Sequence, residues 1–333
     1  IQKDPASSGQ VNGIAVNSKN VVFNNQVSCQ DATAIYVEVD QNRIEGNHCV
    51  GGAVGLNVDG KENYIADNTV LGAADNYDFA AGNQLNLLLS EVPVTIDWPA
   101  NVKLAGTLTS TSTSQHGIRI NVDGVTIDMN GHELIGPGKD VTGTASGIYM
   151  NGRRGCSIKN GTVRAFPDNG VYEAQNVNGN GHQVLGIKVL SNGGTGIRLR
   201  GSNHNVQDCF AQDNGLTGII AESICQLLNN SARENGEYGI SAWKGTVLKG
   251  NTANDNVSSG IAANDGCSLI DNTSLGNSEH GFIIGLGCTV LGNTAHQNQW
   301  DGFNLEGECF VNNNTAFNNN QAGGYANMNS CGT

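Results

Sequence analysis

"GCTVLGNTAHQNQWDGFNLEG" occupies residues 287–307. The 21 residues before it read "GCSLIDNTSLGNSEHGFIIGL", and the 21 after it read "ECFVNNNTAFNNNQAGGYANM". A chain that restates itself at so short an interval stacks one structural unit on the next. Glycine marks the same point at Gly218, Gly239, Gly260, Gly281, Gly302 and Gly323, each 21 residues from the last. Upstream it recurs at Gly196, Gly170, Gly147 and Gly117, with steps of 22 to 30. After each glycine comes a short alternating run: "GISAW", "GIAAN", "GFIIG", "GFNLE". Ile240, Ile261, Phe282 and Phe303 fall on one face, and period two is the mark of a strand. A second short strand starts at "CSLI", "CTVL" and "CFVN", and a third lies near "NTA" and "NTS". Each is too short to stand alone, so it must pair with the next copy.

Two asparagine ladders run through the same units. Asn214, Asn235, Asn256, Asn277, Asn298 and Asn319 form one, and Asn230, Asn251, Asn272, Asn293 and Asn314 the other. Asparagine tolerates left-handed backbone, which suits a sharp corner. Stacked at the strand spacing of about 4.8 Å, identical amides donate and accept along the column. Cys225, Cys267, Cys288 and Cys309 form a further column, with Thr246 filling the missing step. That spacing is a file of small buried residues and not a CxxC metal pattern. Neighbouring steps have a spacing that allows disulfides, but nine cysteines cannot all pair.

Units of about 21 residues with three short strands and asparagine corners predict an all-β chain wound as a right-handed parallel β-helix, a solenoid. The "GCTVxGNTAxxN…GI" pattern resembles the large right-handed β-helix repeat group of pectate-lyase-like architecture, and is similar to its secreted or surface bacterial members. The resemblance covers nearly the whole chain. It implies the fold and leaves the activity open, since the group includes lyases, glycosidases, epimerases, phage tailspikes and adhesins.

The order of the units looks rotated. Residues 1–82 carry the same signals, with units beginning at Gly13, Ala34 and Gly55, and read as coils of a C-terminal end. The pattern breaks over residues 83–101, a cap or connector in which Leu85, Leu87, Leu88 and Leu89 predict a short helix near residues 84–91. Residues 102–333 then open a main β-helix with "GIRINVDGVTIDMNGHELIG". Joining the end of the chain to its own start gives one further coil, from Gly323 through Thr333 and Ile1 to Gly13. Formed between two molecules, such a coil is a heterologous contact that propagates into a filament.

Composition narrows the function. The chain has 333 residues and a formal net charge of -13, with only 17 Lys and Arg. That balance argues against nucleic acid as a partner, and no apolar run is long enough to span a bilayer. A chain that opens at Ile1 without Met reads as a processed segment whose export signal is out of view. The outward file of the first strand is where an elongated sugar would lie: Arg119, Tyr149, Arg198, Ile220, Ser241, Ala262, Ile283, Asn304 and Tyr325. Two positions on lie Arg200, Glu222, Trp243, Asn264, Gly285 and Glu306. Tyr149, Trp243 and Tyr325 are the side chains suited to stacking on sugar rings. Asp301 and Glu306 are the weak candidates for a catalytic carboxylate pair. The paired-Asp and "GHG" motifs of polygalacturonase-type members and the "DPH" signature of alginate epimerases are absent, and "GNGHQ" at 179–183 is a superficial echo. Neither a metal site nor a cofactor is expected. The expectation is therefore an extracellular or cell-surface structural or adhesive protein, self-associating end to end, with polysaccharide as a further partner. The alternative is a carbohydrate-active enzyme, a polysaccharide lyase or glycoside hydrolase.

Overall fold

The computed structural model describes residues 12–174 and 179–320. Every element in them is a β-strand, and every pairing between strands is parallel. The chain winds through about 14 turns, most with three short strands, so that each strand pairs with its counterpart one turn on. The register is the 21-residue one: Ile240↔Ile261↔Phe282↔Phe303. The inward residues of most short strands are buried, and Phe282 and Phe303 stack inside at 4.7 Å between ring centroids. Burial of one residue in two on every side gives a single continuous core along the axis.

Both asparagine ladders are present, and every member but Asn314 is buried. Asn256 donates from Nδ2 to Asn277 Oδ1 at 2.9 Å, and its backbone N–H reaches the same oxygen at 3.0 Å. Its Nδ2 also donates to Ala232 O, so each amide ties three turns together. The ladder asparagines do not themselves take the left-handed conformation expected of them. The residue just before each one does, as at Asp213, Asn229, Glu234, Asp255 and Asn313. The corner is thus made by one residue and secured by the next. Glycine at the strand entrance has a steric cause: a Cβ on Gly218 would sit 2.6 Å from Gly239 O and 2.7 Å from the ladder nitrogen of Asn235.

The helix expected near residues 84–91 is not there. Gln84–Leu89 is a strand that pairs with Tyr64–Ala66 on one side and Asn101–Leu104 on the other. Leu85, Leu87 and Leu89 point inward with period two, and Leu88 faces out. A short apolar run is ambiguous between helix and strand, and here two waiting strand edges decide it. One face of the solenoid is nonetheless interrupted at this point. Asp75–Phe79 ends a four-stranded sheet, and Val94–Ile96 begins a ten-stranded one. The coil joining Gly323–Thr333 to Ile1 lies outside the described residues.

Candidate functional site

The ten-stranded sheet presents its outer face as one file in register: Thr95, Arg119, Tyr149, Tyr172, Arg198, Ile220, Ser241, Ala262, Ile283 and Asn304. From Ile220 to Ile283 the file is small or aliphatic. Between Arg119 and Arg198 it is aromatic and cationic. The guanidinium of Arg119 lies 5.5 Å from the Tyr149 ring centre, and that of Arg198 lies 5.8 Å from the Tyr172 ring centre. The two tyrosine rings meet edge to face at 5.7 Å. On the other flank His116 stacks flat on Tyr149 at 4.0 Å. Its Nδ1 accepts the Ser146 backbone N–H at 3.0 Å, so its proton sits on Nε2. Burial, and next the Arg119 charge, keep the His116 imidazole below its ordinary pKa, so it stays neutral at neutral pH. Burial raises the Tyr149 phenol, with Arg119 opposing.

Side chains from two neighbouring turns fix this cluster. Arg119 Nε donates to Asn121 Oδ1 at 3.0 Å, and Asn121 Nδ2 donates to Asp97 Oδ1 at 2.9 Å. Arg153 Nη1 donates to Asn121 O at 2.8 Å. Beside it opens a cleft of about 280 Å³, lined by Pro93, Val94, Thr95, Ser114, Gln115, His116 and Arg119. Arg119, Arg153, Arg154, Arg198 and Arg200 therefore gather on neighbouring turns of a chain whose net charge is -13. Asp97 and Asp123 stand among them, accepting from Asn121 Nδ2 and from the Arg154 backbone N–H.

The sequence-based candidates fall in different places. Tyr149 is at the centre of the cluster. Trp243 is 45 % exposed and lies four turns further on, roughly 19 Å at about 4.8 Å per turn. Tyr325 lies outside the described residues. Glu222, expected to face out, is only 7 % exposed: its Oε2 accepts the Gly201 backbone N–H at 2.8 Å, beside an irregularity between Leu199 and Ser202. Asp301 sits near His280, its Oδ2 3.5 Å from Nδ1, while His280 Nε2 is 3.3 Å from Asn304 Nδ2. Asp301 precedes the strand Phe303–Leu305 and Glu306 follows it. Tyr172 and His116 were not among the candidates. Each had a signal: Tyr172 stands two residues after Gly170, as Tyr149 does after Gly147, and His116 immediately precedes Gly117.

A polar interior underlies the cluster. Glu173, buried on the inner side of Val171–Glu173, accepts the Gly152 N–H at 2.8 Å and lies 3.2 Å from His182 Nε2. His182 and His204 stack at 5.0 Å. They extend the cysteine file towards the start of the chain, through Cys156. Cys156 N–H donates to His182 Nδ1, and His182 N–H donates to His204 Nδ1, both at 3.2 Å. Among the described residues no group of three His, Cys, Asp or Glu is placed to hold a metal ion, and no helix is long and apolar enough to cross a membrane.

No curated protein matches the chain. Among solved structures it is similar to the A-module of the mannuronan C-5 epimerase AlgE4 of Azotobacter vinelandii, at 11 % identity over 94 % of this chain and 88 % of that one, with a TM-score of 0.44. Pectate lyase Pel9A is similar at 14 % identity over 76 % and 71 % of the two chains, with a TM-score of 0.44. The Dettilon tailspike protein is similar at 12 % identity over 92 % and 60 %, with a TM-score of 0.38. These are likenesses of winding and say nothing of chemistry. The sequence profile of the right-handed β-helix region matches residues 146–291 and 176–333, together more than half of the chain. The chain belongs to that right-handed β-helix family.

Proposed function

We propose that this is an extracellular adhesive β-helix that holds a polysaccharide along the outer face of its ten-stranded sheet. One observation carries the reading: Arg119, Tyr149, Tyr172 and Arg198 stand in register on four successive turns. Strands repeat about every 4.8 Å, so such a file offers a periodic polymer one contact per turn. Tyrosine faces accept the apolar side of a sugar ring, and guanidinium forks fit carboxylates and hydroxyls. The arginines favour an acidic sugar despite the acidic protein, because the charge that matters is local. Titration of neutral and acidic polysaccharides against the protein tests this. Binding to an acidic polymer should weaken at least about tenfold in a Tyr149→Ala, Tyr172→Ala double variant, which corresponds to roughly 1.4 kcal/mol. Equal retention of the double variant on every polymer would sink the reading.

Two further observations favour additional roles. Gly323–Thr333 followed by Ile1–Gly13 has the length of one further coil. That supports head-to-tail assembly into a filament, which electron microscopy of concentrated protein tests. The break between Phe79 and Val94 supports reading residues 1–82 and 102–333 as two blocks of turns joined through 83–101. The enzymatic alternative rests on the His280–Asp301 contact. It predicts new reducing or unsaturated ends from a polysaccharide, lost in Asp301→Asn.

A further inference from the structure

We propose that the break between Asp75–Phe79 and Val94–Ile96 is a docking site for an extended peptide of a partner protein, taken up as a further strand and carrying basic residues in alternation with apolar ones. The two strands belong to consecutive turns, and the strands that follow them, Gln84–Leu89 and Asn101–Leu104, pair directly. Asp75–Phe79 and Val94–Ile96 do not: one is the last strand of the four-stranded sheet and the other the first of the ten-stranded sheet. These turns are therefore closed on one side of the solenoid and open on another, and two strand edges face each other in mid-fold. Val94 N–H donates to Gly117 O, and Ile96 O accepts from Asn121 N–H, so both bond to the following turn. Alternation leaves the Thr95 backbone facing the break. On the other side Ala80 N–H donates back to Val58 O. By the same alternation Tyr77 and Phe79 present their backbone groups to the break. Unpaired edges of this kind are templates for one more strand.

A cleft of about 290 Å³ lies in the break, lined from one edge by Asp75, Asn76 and Tyr77 and from the other by Val94 and Thr95. The rings of Phe79 and Trp98 meet edge to face at 5.0 Å, and Tyr77 stacks on Phe79 at 5.5 Å. These rings pack into the core, which stays closed where the ladder of backbone hydrogen bonds is open. The lining sets the chemistry of the partner. Asp75, Glu91 and Asp97 contribute carboxylates, and neither Lys nor Arg is among the lining side chains. Asn76 Oδ1, buried and without a hydrogen-bond partner, is one more acceptor on this wall. A strand seated here sends alternate side chains in towards Tyr77 and Trp98 and out among the carboxylates. Apolar residues suit the first positions, and Lys or Arg the second. The other cleft that shares Pro93, Val94 and Thr95 is lined by Arg119 and by no carboxylate, so the two openings select different ligands.

The test titrates the whole chain into a fluorescein-labelled, end-blocked peptide of alternating Val and Lys, read by fluorescence anisotropy. Saturable binding is expected, weakening at least about tenfold when Glu replaces Lys in the peptide. The Asp75→Asn, Glu91→Gln double variant should lose a similar factor, and Gln at 91 keeps an oxygen for the Gly72 N–H that Glu91 accepts. N-methylating either alternate set of peptide amides removes the donors to one edge, and each set should also weaken binding at least about tenfold. Thr95→Pro removes an N–H from a strand edge, where proline is tolerated, and should abolish binding. The modified peptides leave the protein unaltered, so they decide the matter if Thr95→Pro fails to fold. Absence of saturable binding overturns the proposal. So does a peptide N-methylated on either set that binds as tightly as its parent, or a Val–Glu peptide that binds as tightly as the Val–Lys one. Self-association of the protein alone that Thr95→Pro abolishes would make a second copy the occupant and overturn it as well.

Discussion

The turns from Gly218 to Asn319 and those from Val94 to Gln212 are built on one plan and differ in what they carry. The later turns repeat every 21 residues, with an unbroken amide ladder and a sheet face of Ser241, Ala262 and Ile283. The earlier turns have steps of 22 to 30 residues, buried Glu173, His182 and His204, and Arg119, Tyr149, Tyr172 and Arg198 outside. Regular turns satisfy each polar group by repetition. Irregular turns satisfy them one by one, and that frees positions for side chains the repeat would not admit. Departures from a repeat are where chemistry concentrates, because local rules are broken there and compensated nearby.

The largest effect should come from breaking the regular half. Asn256→Ala removes the acceptor used by Asn235 N and Nδ2, and the bonds to Asn277 and Ala232. Orphaned buried donors cost about 1–3 kcal/mol each, so chemical denaturation should show a loss of about 3–5 kcal/mol. The irregular half should instead be broken by acid. Burial, with the His182 neighbour second, depresses His204 from 6.5 to about 4. The unfolded chain therefore binds the proton more readily between those values. The contribution is complete above about pH 6.5, falls as pH drops towards 4, and levels off below. Its size is roughly 3 kcal/mol. A stability profile between pH 7 and 4 should lose this slope in His204→Asn, and an unchanged slope would remove the histidine from the account. Next in size is the roughly tenfold loss of polysaccharide affinity in the double tyrosine variant. Placing the same two substitutions at Ile220 and Ile283 should leave binding intact and sharpen the contrast. The smallest effect is expected for Lys244→Ala. Its 3.1 Å contact with Asp265 is exposed, and thermal unfolding should not register its loss.

What could be read beforehand followed the same division. The ladders from Asn214 and Asn230 announced themselves because identical residues recur at one interval, and so did Thr246 in the cysteine file. His182 and His204 belong to that file but stand at steps of 26 and 22, where the interval no longer points to them. Tyr172 was missed for the same reason. The strand Gln84–Leu89 reads as a helix from sequence because Leu87, Leu88 and Leu89 run together, and only its two partners reveal the alternation. Glu222 turned inward because the strand before it slips between Leu199 and Ser202, an irregularity no pattern of residue types encodes.

The ladder amides all point the same way. From Asn25 to Asn68, and again from Asn192 to Asn319, the amide oxygen of each turn accepts from the turn before it. Aligned amide dipoles add, as they do in a helix. The solenoid consequently has an electrical direction, with carbonyl oxygens at its start and N–H groups at its finish. Two such rods laid tip to tip in opposite senses would set like poles against each other, whereas rods in the same sense would continue the current of dipoles across the join.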